Sequence, residues 1–261
     1  MKKLSIVILK FNGEEEVFRC LSSLQFIKLP KNWQKEIIIV DNSIKKNKNF
    51  NLKFKNLKIK TILNNKNVGF AKGVNIGIKE ALENNSEAIL LLNQDTQPDK
   101  DFLFWLLNNH ADIVGSIIKF RRGGKWVYDY GGKVDWKKGK ASHIEKSKIL
   151  NLKFEIDYVS GCCMLIHRPV FEKIGFFDER YFLYFEDVDF CLRAKKAGFK
   201  ITVEPKSVVT HFLKEGKRKP LWQRWQMIKS NLIFINRWID WWRRPLAWIF
   251  CLERGIKILI K

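Results

Sequence analysis

The decapeptide LLLNQDTQPD, Leu90 to Asp99, closes an apolar run, AILLL from Ala88 to Leu92, with a polar cluster around Asp95. A run too short to cross a membrane and ended by turn residues reads as a buried parallel strand. Ligands in open parallel sheets sit beyond the carboxyl ends of the strands, which makes Asp95 a candidate ligand for a metal or a substrate. The same residues also suit a plain turn, with Asp99 placed to cap a helix over Asp101 to Asn109. Asp41, Asn42 and Ser43 follow a second such run, Ile37 to Val40, where the carboxylate can accept hydrogen bonds from a ligand or close an Asx-turn. A third acidic cluster, Glu186, Asp187 and Asp189 in FEDVDFCLR, falls just before or within the first turn of a helix. That helix has an apolar stripe of Val188, Cys191, Leu192 and Ala194 and ends at Gly198. Helix-dipole complementarity alone would also favour carboxylates there.

These groups need elements to hold them. Leu4 to Leu9 is another apolar run, followed by Asn12 and Gly13, and Ile59 to Leu63 is a further short strand. Between the strands lie segments of helical period, Val17, Leu21 and Leu24, then Val74, Ile78, Ala81 and Leu82. Alternating strands and helices predict an α/β fold, a mostly parallel doubly wound sheet with helices on both faces. Its active edge carries Asn12, Asp41, Asn67 and Asp95. At 261 residues the chain buries one sizeable core. Lys119 to Lys153, rich in Lys, Gly and aromatics, reads as a hairpin with mobile loops. The basic then apolar start MKKLSIVILKFNG is too short for a signal h-region. The segment closest to a membrane span, Pro245 to Ile260, is interrupted by Glu253, Arg254 and Lys257.

Four motifs together carry a resemblance: IVDNS at Ile39 to Ser43, NVGFAKGVNIGI at Asn67 to Ile78, LLNQDTQPD at Leu91 to Asp99, and VSGCCMLIHRPVFEKIGFFDERYFLYFEDVDFCLRAKKAGFKI at Val159 to Ile201. In this order they resemble glycosyltransferase family 2, most of all its rhamnosyltransferase-like and galactofuranosyltransferase-like members, from Leu4 to about His211. The resemblance implies an A-type glycosyltransferase fold that transfers a sugar with inversion from a nucleotide-sugar donor, using Mg²⁺ or Mn²⁺. It divides the chain into a catalytic domain, residues 1–211, with a nucleotide-sugar half (1–118) and an acceptor half (119–211), and a helical tail, 212–261.

Residue by residue, the resemblance makes Asp95 the metal ligand, in keeping with a phosphate-bound dication that wants one or two carboxylates. The family's acidic triplet falls on Asn93, Gln94 and Asp95, and the amide at Asn93 suits a hydrogen bond to sugar or ribose. Asp41 matches the contact to the nucleotide base, while Asn67, Gly69 and Asn75 offer amides and close backbone approach to the nucleotide. The glycines at 69, 73 and 77 also suit simple helix packing. His211, in VVTHF, matches a histidine that approaches metal and diphosphate. Asp187 matches the base that takes the acceptor's proton, and Glu186 and Asp189 either position the acceptor or cap the helix. The flanking RYFLYF, Arg180 to Phe185, reads as an aromatic wall for a sugar, and Gly161, Cys162 and Cys163 as small residues lining the acceptor pocket.

The tail has its own chemistry. Leu221, Trp225, Ile228, Leu232, Ile235, Ile239 and Trp242 form one apolar helical seam, with Arg224, Lys229, Arg237 and Arg243 off it. The seam is expected to pack on the parent domain. The surplus of Trp222, Trp238, Trp241 and Trp248 beside Lys217 to Lys219, Arg243 and Arg244 predicts an amphipathic anchor on an anionic membrane, or else an oligomer or partner interface. Five cysteines, an odd number without a CxxC pattern, fit a reducing cytoplasm, and the expected location is peripheral on the inner face of the cell membrane. A net charge of +22 raises a basic nucleic-acid-binding module as the alternative, but lysines spread over loops such as Lys45 to Lys60 read as solvated surface and no nucleic-acid signature appears. A sugar nucleotidyltransferase would want a glycine-rich loop after the first strand, where Lys10 to Glu15 has only Gly13. The expected partners are therefore a nucleotide-sugar donor and a glycan or polyprenyl-linked acceptor.

Overall fold

The computed structural model describes residues 1–44, 54, 56–149, 154–213 and 219–260. Most of the lysine-rich stretch from Lys45, the end of the 119–153 insertion, and Lys217 and Arg218 lie outside the described residues. The first half is a parallel layer: strands β1 (Lys2–Lys10), β2 (Trp33–Asp41), β3 (Ile59–Leu63) and β4 (Ala88–Leu92) lie in the order β3-β2-β1-β4. Helix α1 (Glu14–Leu24) connects β1 to β2, and α2 (Phe70–Glu83) connects β3 to β4. Strands β1, β2 and β4 carry apolar runs because each has two cores to serve, unlike the edge strand β3. Leu4, Ile6 and Ile8 pack with Val17, Leu21 and Leu24 of α1, while Val7, Ile38 and Val40 pack with Val74, Ile78 and Ala81 of α2. A Cβ on Gly77 would stand 2.5 Å from Val7 Cγ1, so the glycine spacing in α2 lets the helix approach β1 closely.

Beyond β4 the sheet is more mixed than the sequence predicts. β5 (Thr96–Pro98), α3 (Phe102–Leu107), β6 (Ile113–Arg122), β7 (Lys125–Asp135), β8 (Lys140–Lys146), β9 (Cys163–His167), α4 (Arg168–Ile174), α5 (Glu186–Lys196) and β10 (Ile201–His211) follow. The sheet continues β4-β9-β6-β10-β5, with β9 wedged antiparallel between β4 and β6. β7 and β8 grow from β6 as an antiparallel ribbon, turned at Gly123 and Gly124, both with positive φ. Much of the expected hairpin and loop segment is thus ordered strand. β10 runs parallel to β6 and, at its end, pairs antiparallel with β5.

The tail is two helices, α6 (Leu221–Trp238) and α7 (Arg244–Ile260), joined through a 3₁₀ turn at Trp241–Arg243. Ile228, Ile235 and Ile239 of the predicted seam do pack, with Ala247 and Cys251 of α7. Its ends do not: Leu221, Trp225 and Trp242 are exposed, while Arg224 is buried. The reason is that α6 meets the body through mixed chemistry that a hydrophobic pattern cannot register. Phe234 packs on Phe185, the Ser230 hydroxyl donates to the Leu183 carbonyl and the Asn231 amide donates to the Gly139 carbonyl. Trp238 is no surface anchor either, since its indole N–H donates to Asp189 at 2.8 Å. Trp222, Trp241 and Trp248 are exposed, and a further exposed apolar stripe runs from Trp242 of the 3₁₀ turn along Leu246, Ile249, Leu252 and Ile256 of α7. Among the described residues no helix is long and apolar enough to cross a membrane.

Candidate active site

The β5–β10 pairing sets His211 opposite Thr96, and the backbone N–H of Phe212 donates to the Asp95 carbonyl at 2.9 Å. That register brings His211 Nε2 to 3.1 Å from Asp95 Oδ1, with both side chains partly accessible. One carboxylate and one imidazole on an open edge make a donor set that could hold a hard or borderline dication, the other positions going to phosphate and water. Among the described residues no cluster of three or more His, Cys, Asp or Glu stands ready to enclose a metal. A dication at Asp95 and His211 would therefore keep most of its coordination for a ligand.

Asp95 sits on the wall of a cavity of about 200 Å³ beyond the ends of β1, β2 and β4, lined also by Asn42, Asn67, Asn93, Gln94, Phe182 and Trp222. The loop is braced from within: Asn42 Nδ2 donates to the Gly69 carbonyl at 3.1 Å, and the Gly69 N–H donates to Asn67 Oδ1 at 3.0 Å. Gly69 has φ +89° and lies so close to Phe182 that a Cβ would meet its carbonyl at 2.6 Å. Neighbouring Asp41 closes the Asx-turn by accepting from Ser43 N–H and pairs with Lys10 at 2.9 Å. Burial opposes its charge, but hydrogen bonds from Ser43 and Lys10 outweigh that and hold its pKa below the ordinary carboxylate value.

A second cavity, of about 380 Å³, shares Phe70, Asn93 and Leu183 with the first, and Asp187, Glu186 and His211 line it. Tyr184 and Phe185 turn the chain into α5 with φ +71° and +68°. Two consecutive non-glycine residues in that region cost about 1 kcal/mol or more each and persist only where packing holds them. Phe234 against the Phe185 ring supplies part of that hold. The kink splits the RYFLYF wall: Phe182 faces the first cavity, Tyr184 the second, Leu183 both, and Tyr181 is buried in the core.

The two adjacent carboxyls at the start of α5 differ in support. Asp187 accepts from the backbone N–H of Gly161 at 3.0 Å and of Val188 at 2.8 Å. Burial raises its pKa, against the pull of these N–H groups and of His143. Glu186 is driven well above the ordinary value by burial and by Asp187, and its Oε2 is buried with no partner among the described residues. The contrast makes Glu186 the harder of the two to ionise.

The sequence model of Glycosyl transferase family 2 matches residues 5–175. The chain belongs to glycosyltransferase family 2. It is 30% identical over 205 residues to the low-salt glycan biosynthesis hexosyltransferase Agl10 of Haloferax volcanii, covering 76% of this chain and 63% of that protein. Over 95 residues it is 40% identical to the N-acetylglucosaminyl-diphospho-decaprenol L-rhamnosyltransferase of Mycobacterium tuberculosis, covering 36% of this chain and 31% of the other. The chain thus spans less than two thirds of the length of these relatives. Among solved structures, GalNAc-T7 with UDP, GalNAc and Mn²⁺ has a TM-score of 0.72 at 17% identity, covering 93% of this chain and 49% of that one. The A-type fold expected of a family 2 chain is the one present.

Within that family frame several predicted residues stand apart from the cavities. Asn75 is buried in α2, where its amide donates to the Phe177 carbonyl and its Oδ1 accepts from Phe177 N–H, clamping α2 to the segment before α5. Asp189 is fully buried and bonded to Arg193, Arg237 and Trp238, because two residues along a helix from Asp187 its side chain leaves by another face. Asn12, at φ +54°, is exposed, and its N–H donates to Ser43. Conversely, Asn42, Gln94 and Trp222 line the first cavity and Arg122, Asp129, His143 and Glu145 the second. Asn42 was within reach of sequence reasoning as the neighbour of Asp41. The ribbon residues carried no motif at all.

Proposed function

We propose that the protein is an inverting, divalent-metal-dependent glycosyltransferase that moves a sugar from a nucleotide-sugar donor to a lipid-linked or polysaccharide acceptor in cell-surface glycan synthesis. The observation that carries this reading is the meeting of two cavities at Phe70, Asn93 and Leu183, one lined by Asp95 and the other by Asp187 and by His211, which bonds Asp95. The donor nucleotide lies along Asn42, Asn67, Gly69 and Asp41, with Asn93 placed at the junction for the sugar or ribose. Asp95 and His211 would hold Mg²⁺ or Mn²⁺, which when bound would neutralise charge on the leaving diphosphate. Asp187 takes the proton of the acceptor hydroxyl as that oxygen attacks the anomeric carbon opposite the departing diphosphate. Burial and the neighbouring Asp187 oppose a second charge on Glu186.

The mycobacterial relative's name couples rhamnose with a polyprenyl-linked acceptor, and a Shigella flexneri relative is named a dTDP-rhamnosyl transferase; these support dTDP-rhamnose first and UDP-sugars second as donors for this chain. A lipid-linked acceptor calls for work at a membrane surface. The exposed stripe Trp242, Leu246, Ile249, Leu252 and Ile256, flanked by Arg243, Arg244 and Lys257, suits an anionic bilayer face, with rings and aliphatic chains at headgroup depth. The cysteines are buried and unpaired, in keeping with a cytoplasmic face. The test is a donor panel: purified protein with Mn²⁺ or Mg²⁺ and dTDP-, UDP- and GDP-sugars, read as nucleotide release and calorimetric binding. Metal-dependent binding of one donor class is expected; no binding of any nucleotide sugar would overturn the reading.

A further inference from the structure

The rim of the second cavity is built by the β6–β7–β8 ribbon, which contributes two fixed polar pairs. Arg122 grips Glu145 through two parallel hydrogen bonds, Nη1 to Oε2 at 2.6 Å and Nη2 to Oε1 at 3.0 Å. His143 Nδ1 lies 2.8 Å from Asp129 Oδ2, and the Asp129 side chain is 8% exposed against 40% for His143. Asp129 is itself anchored, its Oδ1 accepting from Gly131 N–H at 2.9 Å, and the His143 ring stands edge-on to Tyr158 at 5.4 Å between centroids. The imidazole is therefore held on two sides. With Nδ1 turned to Asp129, Nε2 is the nitrogen left for a ligand. The same cavity is lined by Asp187, Gly161, Ser160 and Tyr184.

We propose that His143, oriented by Asp129, binds the acceptor sugar through a hydroxyl next to the one that Asp187 deprotonates. This rests on the glycosyltransferase reading above. A sugar offers vicinal hydroxyls that both donate and accept, so a single base cannot decide which of them reacts. A second, rigid hydrogen-bonding group lining the same cavity can. Neutral imidazole accepts at Nε2 and imidazolium donates there, so either form engages a hydroxyl. Asp129 and the nearby Asp187 and Glu145 favour the charged form over the opposing effect of burial. The bound pairs offset their own charges, which suits a neutral polyol rather than a free phosphate. His143 is an acceptor-binding residue and Asp129 its positioning residue.

The test uses the full chain with Mn²⁺, dTDP-rhamnose and N-acetylglucosaminyl diphosphate on a short polyprenol. His143→Ala should raise the acceptor KM about tenfold, the scale of one lost hydrogen bond, with donor KM and calorimetric nucleotide affinity unchanged. His143→Gln, which keeps a polar tip, should recover part of the loss. Asp129→Asn, which retains an oxygen for Gly131, should fall between wild type and His143→Ala. An unchanged acceptor KM in His143→Ala overturns the proposal. So does an equal loss of donor affinity, which would mark His143 as structural, and so does a wild type that binds donor but transfers nothing to this acceptor. Failure of the glycosyltransferase reading itself appears earlier, as a wild type that binds no nucleotide sugar.

Discussion

His211 Nε2 meets Asp95 Oδ1 at 3.1 Å although 116 residues separate them in the chain. The three-residue strand β5, paired antiparallel with the end of β10, is what closes that distance. The two side chains therefore depend on one local pairing, and metal binding should respond to both.

Asp95→Ala is expected to abolish Mn²⁺-dependent nucleotide binding while the fold survives, as read by calorimetry and circular dichroism. Asp95→Asn should be nearly as damaging, because an amide is a far poorer ligand for a hard dication. His211→Ala should weaken metal binding without abolishing it. Full Mn²⁺-stimulated binding in the Asp95 variants would remove Asp95 from the metal site, and chelation of the wild type should reproduce their loss.

Asp187→Asn should bind donor normally and lose transfer by about 10²- to 10⁴-fold, the usual contribution of a positioned base. Because burial raises the Asp187 pKa, the acid limb of kcat/KM should lie above the ordinary carboxylate range, with activity rising as pH rises through it. Glu186→Gln imitates the protonated glutamic acid and should leave that limb in place. If Glu186→Gln abolishes transfer and Asp187→Asn does not, the base is Glu186.

Glu186 also links stability to pH. Its folded pKa stands above its unfolded value, so folding takes up a proton. Its contribution is present below the unfolded value and is lost as pH rises toward the folded one. Glu186→Gln should therefore flatten the fall in Tm between mildly acid and neutral pH and raise Tm at neutrality. A parallel fall in wild type and variant would refute the raised Glu186 pKa.

Asp189→Ala should lower stability by on the order of 3 kcal/mol, since it leaves Arg193 and Arg237 without their shared buried carboxylate and Trp238 without its acceptor. Denaturant unfolding measures this. Donor affinity of the folded variant should match wild type, which distinguishes a brace between α5 and α6 from a member of the active site.

Leu246, Ile249 and Leu252 replaced together by Ser should release the protein from anionic liposomes with nucleotide binding intact, because these side chains are exposed and line neither cavity. Replacing Arg243 and Arg244 by Gln should weaken the same binding by about 1 kcal/mol per charge, with the remainder less sensitive to salt. Equal binding of all variants to the vesicles would make the stripe a protein interface.

The local elements were legible in the sequence because they rest on local physics. Apolar runs ending in Asp41 and Asp95, the helical period of α1 and α2, and acidic residues opening α5 each express burial or a helix terminus within a few residues. The motif order added the family and its fold. What only the tertiary structure decided concerns partners distant in sequence and side-chain direction within an element. Asp187 faces a cavity and Asp189 a brace, two residues apart, because a helix turns its side chains by a fixed angle and α6 covers one face. Asn75 looked like a nucleotide contact until Phe177, 102 residues away, took both ends of its amide. His143 had no motif to announce it, since its place at the cavity comes from the β7–β8 register and from Asp129 beneath it. Of the tail tryptophans read as a surface anchor, Trp238 turned to the body for a related reason: α6 docks through Ser230, Asn231 and an indole N–H, and hydrogen bonds leave no hydrophobic period to read.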